Sequence, residues 1–279
     1  MSYKTMLTIL TDPTEVDAVL GAAIPFATEA GAHLDVLCLG IDRTQTGYYF
    51  AGATALMHDE TIAQAQADAA RIEAAARDAL GRSDLSWGVD AMVAQSASVT
   101  GLVARRSRYA DLVILPKPYG DGKYADAPVV VESAMFQGQA PVIVLAEGAA
   151  PVAAPQRVVI AWNESAEAMT AVRRALPILK TAALVDICIV APERHASDTA
   201  DPGAELSRML SRHGVKVEVT ILAQTLPRVS EVIARHVADI DAHMLVMGAY
   251  GHSRFREAIL GGATRNMLEH AKVPVLMAH

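Results

Sequence analysis

The sequence predicts an α/β protein: two tandem doubly wound units, each built on a five-stranded parallel sheet. Three observations carry this. Segments recur in a fixed order: Leu34–Leu39 resembles Val185–Val190, Ala110–Leu115 resembles Ala242–Met247, and Ala140–Leu145 resembles Val273–Ala278, at offsets of 151, 132 and 133. One such pair could arise by chance among Ala- and Val-rich strands; three in order point to duplication. Most of the apolar runs are short, continuous and β-branched, as expected for strands buried on both faces. Between them, apolar residues recur at helical spacing, and strands alternating with helices give a doubly wound sheet.

In the first repeat the strand-like runs are Thr5–Leu10, Leu34–Leu39, Gly88–Ala94, Leu112–Leu115 and Val142–Leu145. In the second they are Arg157–Trp162, Val185–Val190, Val215–Leu222, Met244–Met247 and Val275–Ala278. The fall in offset places an insertion in the first repeat between about residues 41 and 90. It includes an Ala-rich helix with Ile62, Ala65, Ala69, Ile72, Ala76 and Leu80 on one stripe. That helix is expected to start at His58-Asp59-Glu60, whose acids suit the helix dipole. At about three turns it is too short for a coiled coil and covers the sheet instead. In the second repeat Ser165 can cap a helix bearing Met169, Val172, Leu176 and Leu179, and Val229, Val232, Ile233 and Val237 form another stripe. The expected domains are residues 1–147 and 157–279, joined by an Ala/Pro/Gly-rich linker at 148–156.

Composition narrows the function. Of 279 residues, 52% are hydrophobic and 20% charged, which excludes a disordered chain. The net charge of -7 lacks the basic footprint of a nucleic-acid or anionic-lipid binder. No apolar run approaches the ~18 residues of a membrane span. Asp12-Pro13 interrupts what would be a signal-peptide core, which argues against export. Cys38 and Cys188 lie in apolar runs and read as reduced core residues of a cytoplasmic protein. The nine histidines form no H-E-x-x-H motif, and there is no paired C-x-x-C, so no metal site is expected.

Ligands of doubly wound sheets sit beyond the carboxyl ends of strands, where strand order reverses. After the fourth strand of the second repeat comes Gly248-Ala-Tyr-Gly251, then nine residues, then Gly261-Gly262-Ala263-Thr264. Glycines let backbone approach a ligand, and Gly261 and Gly262 would present N–H groups at a helix start, where the dipole favours an anion. Thr264 adds a hydroxyl in the first turn. The loop is neither a Walker A loop nor a G-x-G-x-x-G fingerprint. His252 and Ser253 have no third triad member, Arg254 and Arg256 read as solvated, and Glu164 offers at most weak ATP hydrolysis, so a dedicated enzyme is not expected.

The spacing G-x2-G-x9-G, its preceding strand and the repeat order resemble the universal stress protein family, as a tandem, Rossmann-like member. The resemblance implies a stress-response or signalling role and, as in many family members, an adenosine pocket between the ends of the first and fourth strands. Carried over, it assigns ATP or ADP, with or without Mg2+, to Asn163, Val190, Met247, Gly248, Gly251, Gly261, Gly262, Ala263 and Thr264. Two positions depart from the pattern. Asn163 replaces the usual Asp, keeping hydrogen bonds but not charge. Gly262 replaces Ser or Thr, keeping the N–H and losing a hydroxyl. The resemblance also implies pairing of the last strands, each opened by a proline (Pro141, Pro274), as an internal pseudo-dimer, with a homodimer of two chains as a further step.

The first repeat reads differently. Asp12 keeps the acid, but Pro116-Lys117-Pro118 removes amide donors and Asp126-Ala127-Pro128 stands where the cradle should form. Tyr48, Tyr49 and Phe50 in its insertion could wall a small ligand, or plug the unused cavity or a dimer contact. The alternative function is therefore a non-nucleotide small-ligand or protein-interaction module with both nucleotide sites degenerate.

Overall fold

The computed structural model describes residues 2–43, 54–148, 154–191, 201–249 and 262–279. Tyr3–Ala140 form one compact unit, and Pro141–His279, with Ser2, another.

The first unit runs β1 (Thr5–Leu10), α1 (Val16–Ala30), β2 (His33–Asp42), α2 (Thr54–Leu80), β3 (Trp87–Gln95), α3 (Ser96–Ser107), β4 (Leu112–Leu115) and α4 (Ala127–Glu132). Its sheet order is β3-β2-β1-β4, all parallel. The central strands carry buried Met6, Ile9, Leu10, Leu112 and Ile114. Register is pinned where the Asp111 carboxylate accepts from the backbone N–H of Lys4 (2.7 Å) and Thr5 (3.0 Å).

Helix α2 corrects two expectations: it is 27 residues long, not about three turns, and it starts at Thr54, upstream of His58. Ala55, Leu56 and Met57 are strong helix formers and extend it past the acids that read as its first turn. Ala65, Ala69, Ile72, Ala76 and Leu80 are its buried stripe. The small residues let α2 come close enough that a β-carbon on Gly40 of β2 would lie 1.9 Å from the Ala65 carbonyl oxygen.

The second unit runs β5 (Val142–Val144), β6 (Arg157–Ala161), α5 (Ala166–Leu179), β7 (Leu184–Val190), α6 (Ala204–Arg212), β8 (Val217–Leu222), α7 (Val229–Asp239), β9 (Met244–Gly248), α8 (Ala263–His270) and β10 (Val275–Ala278). Its order is β5-β10-β9-β6-β7-β8. All neighbours are parallel except β5, which runs antiparallel to β10 with Val144 opposite Val275. That ladder groups β5 with the second unit although it closes the first repeat in sequence.

Burial on both faces fails for two strands: β3 exposes Met92 (37%) and Val93 (39%), and β8 exposes Val219 (39%) and Ile221 (51%). Among the described residues no helix is long and apolar enough to cross a membrane.

Candidate functional site

In the second unit strand order reverses between β6 and β9, whose Ala161 and Met247 are Cα partners at the carboxyl ends. Strand β6 continues into Trp162, which is buried and donates its backbone N–H to the Cys188 carbonyl at 2.9 Å. Asn163 follows, exposed. Its Oδ1 accepts from the Ser165 N–H at 3.2 Å, an Asx-type turn. Ser165 Oγ then accepts from the Ala168 N–H at 3.1 Å and caps α5. Glu164, between them, has φ of 61°, a left-handed conformation unfavourable to any residue with a β-carbon. Asn163 therefore spends its carbonyl oxygen locally, and its amide NH2 has no partner among the described residues.

Asp12 does the same job in the first unit: its Oδ1 accepts from the Thr14 N–H (2.8 Å) and hydroxyl (2.7 Å). The turn needs only a side-chain oxygen two residues before the donor, which both Asp and Asn supply.

Gly248 ends β9. A β-carbon there would lie 2.4 Å from the Ala168 nitrogen and 2.6 Å from the Glu167 carbonyl carbon, so the first turn of α5 sits directly on this glycine. Its visible work is helix–strand packing. Met247 is buried between Ala161 and Met277 in register and gives the mouth an apolar wall. Val190 ends β7, half-buried; Ala191 after it has φ of 44° and donates its N–H to the Leu222 carbonyl at 2.8 Å.

Helix α8 runs back from the carboxyl end of the sheet before β10, so its N-terminus belongs to the same end as the tips of β6 and β9. Gly262 is its N-cap and supplies no side-chain cap, and its first turn holds no acidic residue. Ala263 is exposed and Thr264 buried. The helix is fixed by a buried hydrogen bond of 2.8 Å between Ser230 Oγ on α7 and Asn266 Oδ1. Gly251 and Gly261 lie outside the described residues, as do His252, Ser253, Arg254 and Arg256. The described residues thus bring Asn163, Met247 and Gly248 to one mouth.

Sequence reasoning missed the buried pair of Asp186 on β7 and His236 on α7, at 2.5 Å between Oδ2 and Nε2. The Asp186 side chain is fully buried and its Oδ1 has no partner among the described residues. The signal was an acid inside an apolar strand, which demands a partner. Burial, aided by negative Glu73 beside Cys38 and Asp186 beside Cys188, pushes both thiols up to about 12. No cluster of His, Cys, Asp or Glu among the described residues could hold a metal.

In the first unit, ion pairs tie the segment after β4 to the ends of β2 and α1. Arg43, just beyond β2, meets Asp126 with Nε at 2.9 Å and Nη2 at 3.3 Å, and its guanidinium lies 3.8 Å from the Tyr124 ring centroid. Lys123 pairs with Glu15 at the start of α1, both mostly buried. The segment after β4 is thereby tied down by its own ion pairs. Tyr48, Tyr49 and Phe50 lie outside the described residues.

The model of the universal stress protein family matches residues 155–279. A universal stress protein of Synechocystis, Slr1230, is 36% identical over 69 residues, which are 25% of this chain and 23% of that protein. The chain thus matches about a quarter of this curated relative's length. A universal stress protein structure from Archaeoglobus fulgidus shares the fold over 98% of this chain and 95% of its own, with a TM-score of 0.67 and 19% identity. A functionally unknown protein from Pseudomonas aeruginosa PAO1 does so over 99% and 92%, with a TM-score of 0.56 and 15% identity.

Proposed function

Residues 155–279 belong to the universal stress protein family, and from that premise we propose that this half binds an adenine nucleotide, ATP or ADP, in a stress-response or signalling role rather than a catalytic one. The observation that carries the proposal is the contrast between two helix starts at one sheet end. Helix α5 is already served by Ser165 and by Glu167 in its first turn. Helix α8 begins on Gly262, with no side-chain cap and no acid in its first turn, the arrangement that suits a phosphate. Met247 and Val190 would flank the base, the Asn163 amide would face the ribose, and Thr264 would stand in the phosphate turn, with Gly251 and Gly261 completing the loop. Any Mg2+ would arrive with the phosphates.

A second reading, a non-nucleotide ligand or protein-interaction module, is favoured for the first unit by the Arg43–Asp126 and Lys123–Glu15 pairs that tie the segment after β4. The antiparallel β5–β10 ladder supports reading the last strands as the seam of an internal pseudo-dimer, with association of two chains as a further step. The two buried, free cysteines accord with a cytoplasmic location.

The test is the melting temperature with and without Mg-ATP, beside a mass spectrum of whatever the purified protein releases on denaturation. Binding stabilises by RT ln(1 + [L]/Kd), about 2.7 kcal/mol at a hundredfold excess over Kd. A rise in melting temperature, or released ATP or ADP, supports the proposal. No shift at millimolar nucleotide and no released nucleotide overturns it.

A further inference from the structure

The groove between the edge strand β3 and helix α3 has no role in the reading above. It is a shallow, open depression of about 660 Å³, lined by Met92, Val93, Ala97, Gly101, Leu102 and Arg105 among others. Ala97 and Gly101 make room on the helix side, while Met92 and Val93 are exposed on the strand side.

The backbone of β3 says what fits beside it. The Leu34 N–H bonds the Ser86 carbonyl, so even-numbered residues turn their backbone groups toward β2 and odd-numbered ones turn them outward. Of the outward groups, the Val89 carbonyl is taken by Arg77 of α2 at 3.2 Å, which blocks the edge on its N-terminal side. Among the described residues nothing pairs with the outward groups of Ala91 and Val93, which form a template next to the groove. The blocked end is also the cationic end. Arg106 pairs with Asp90, but Arg105 is exposed and has no partner among the described residues. A strand added antiparallel to β3 would finish against the Arg77 block with its terminal carboxylate beside Arg105. A parallel strand would bring an ammonium group to the same cation.

We infer that the β3–α3 groove is a docking site for the C-terminal tail of another protein, added as an antiparallel strand, with apolar side chains at alternate positions in the groove and its terminal carboxylate on Arg105. Main-chain bonds to Ala91 and Val93 supply attachment, and the groove and Arg105 supply selectivity.

The test uses the full chain, immobilised, and two pools of random hexapeptides identical except that one ends in a free carboxylate and the other in an amide. Retained peptides are read by mass spectrometry. Peptides with apolar, β-branched residues at alternate C-terminal positions are expected from the free-carboxylate pool, at least tenfold enriched over the amide pool. Arg105→Ala, an exposed change, should erase that difference. Val93→Pro should erase retention by removing an outward N–H. Because proline could disturb β3 itself, Met92→Lys, which fills the groove and spares the backbone, should do the same. No enrichment, equal enrichment from both pools, or undiminished preference in Arg105→Ala overturns the inference. So does a dimer in sedimentation that Val93→Pro makes monomeric, since a second copy would then own the edge. None of these outcomes bears on nucleotide binding by the second unit.

Discussion

Gly248→Ala is the sharpest perturbation the geometry offers, because the obstacle is main chain and cannot rotate away. The added β-carbon would stand 2.4 Å from the Ala168 nitrogen, 2.6 Å from the Glu167 carbonyl carbon and 2.9 Å from the Ala168 Cα. Ordinary contact begins near about 3.4 Å, so α5 must retreat by roughly 1 Å from a close-packed sheet. Overpacking typically costs about 1–3 kcal/mol, and backbone displacement puts this case at about 3 kcal/mol. For a unit of this size that lowers the melting temperature by roughly 6–12 °C. Urea unfolding should show a lower midpoint at unchanged slope. The control is Gly21→Ala in α1, where nothing lies within 4 Å of the new β-carbon. There the helix should gain about 0.5–1 kcal/mol. A Gly248→Ala protein melting within about 1 °C of the parent would refute the packing argument and return this glycine to the ligand loop alone.

Three further outcomes are expected. His236→Ala strips the buried Asp186 carboxylate of its partner and should cost about 3–5 kcal/mol in urea unfolding, with Asp186→Asn milder. Glu164→Gly removes a β-carbon from a position with φ of 61° and should be neutral or stabilising by up to about 1 kcal/mol by thermal melting. The folded thiols of Cys38 and Cys188 keep their protons up to about 12, whereas unfolded ones ionise near 9.0. The folded state therefore binds more protons across that window, and stability should fall as pH rises from 9 toward 12, by about 1.4 kcal/mol per pH unit per thiol. Cys38→Ala should remove half of that slope in urea titrations, and neither thiol should react with a thiol reagent at pH 8 until the chain is unfolded.

Local signals in the sequence were enough for the strands and caps. Repeated β-branched runs locate the inner strands because those runs are buried on both faces, and Ser165 announces α5 because an N-cap acts within three residues. What long-range contact decides was not legible. Gly248 looks like part of a ligand loop, but the neighbour that requires it is α5, some eighty residues earlier. The swap of Asp12 for Asn163 looks like loss of a binding acid, yet both oxygens serve the same local turn. The openness of β3 and β8 depends on which strands end a sheet, and that order is not written in any one strand.

The central claim, that the bare start of α8 receives a phosphate, is tested most directly by Mg-ATP calorimetry on the full chain and on Gly262→Asp. At φ of -55° and ψ of 160° this N-cap accommodates any residue. An aspartate would cap α8 with its own carboxylate, worth about 1 kcal/mol, while repelling an anion. The expected result is saturable ATP binding to the parent and none to Gly262→Asp, which melts at an equal or higher temperature. Undiminished binding to Gly262→Asp, or no binding by the parent at millimolar ATP, would contradict it.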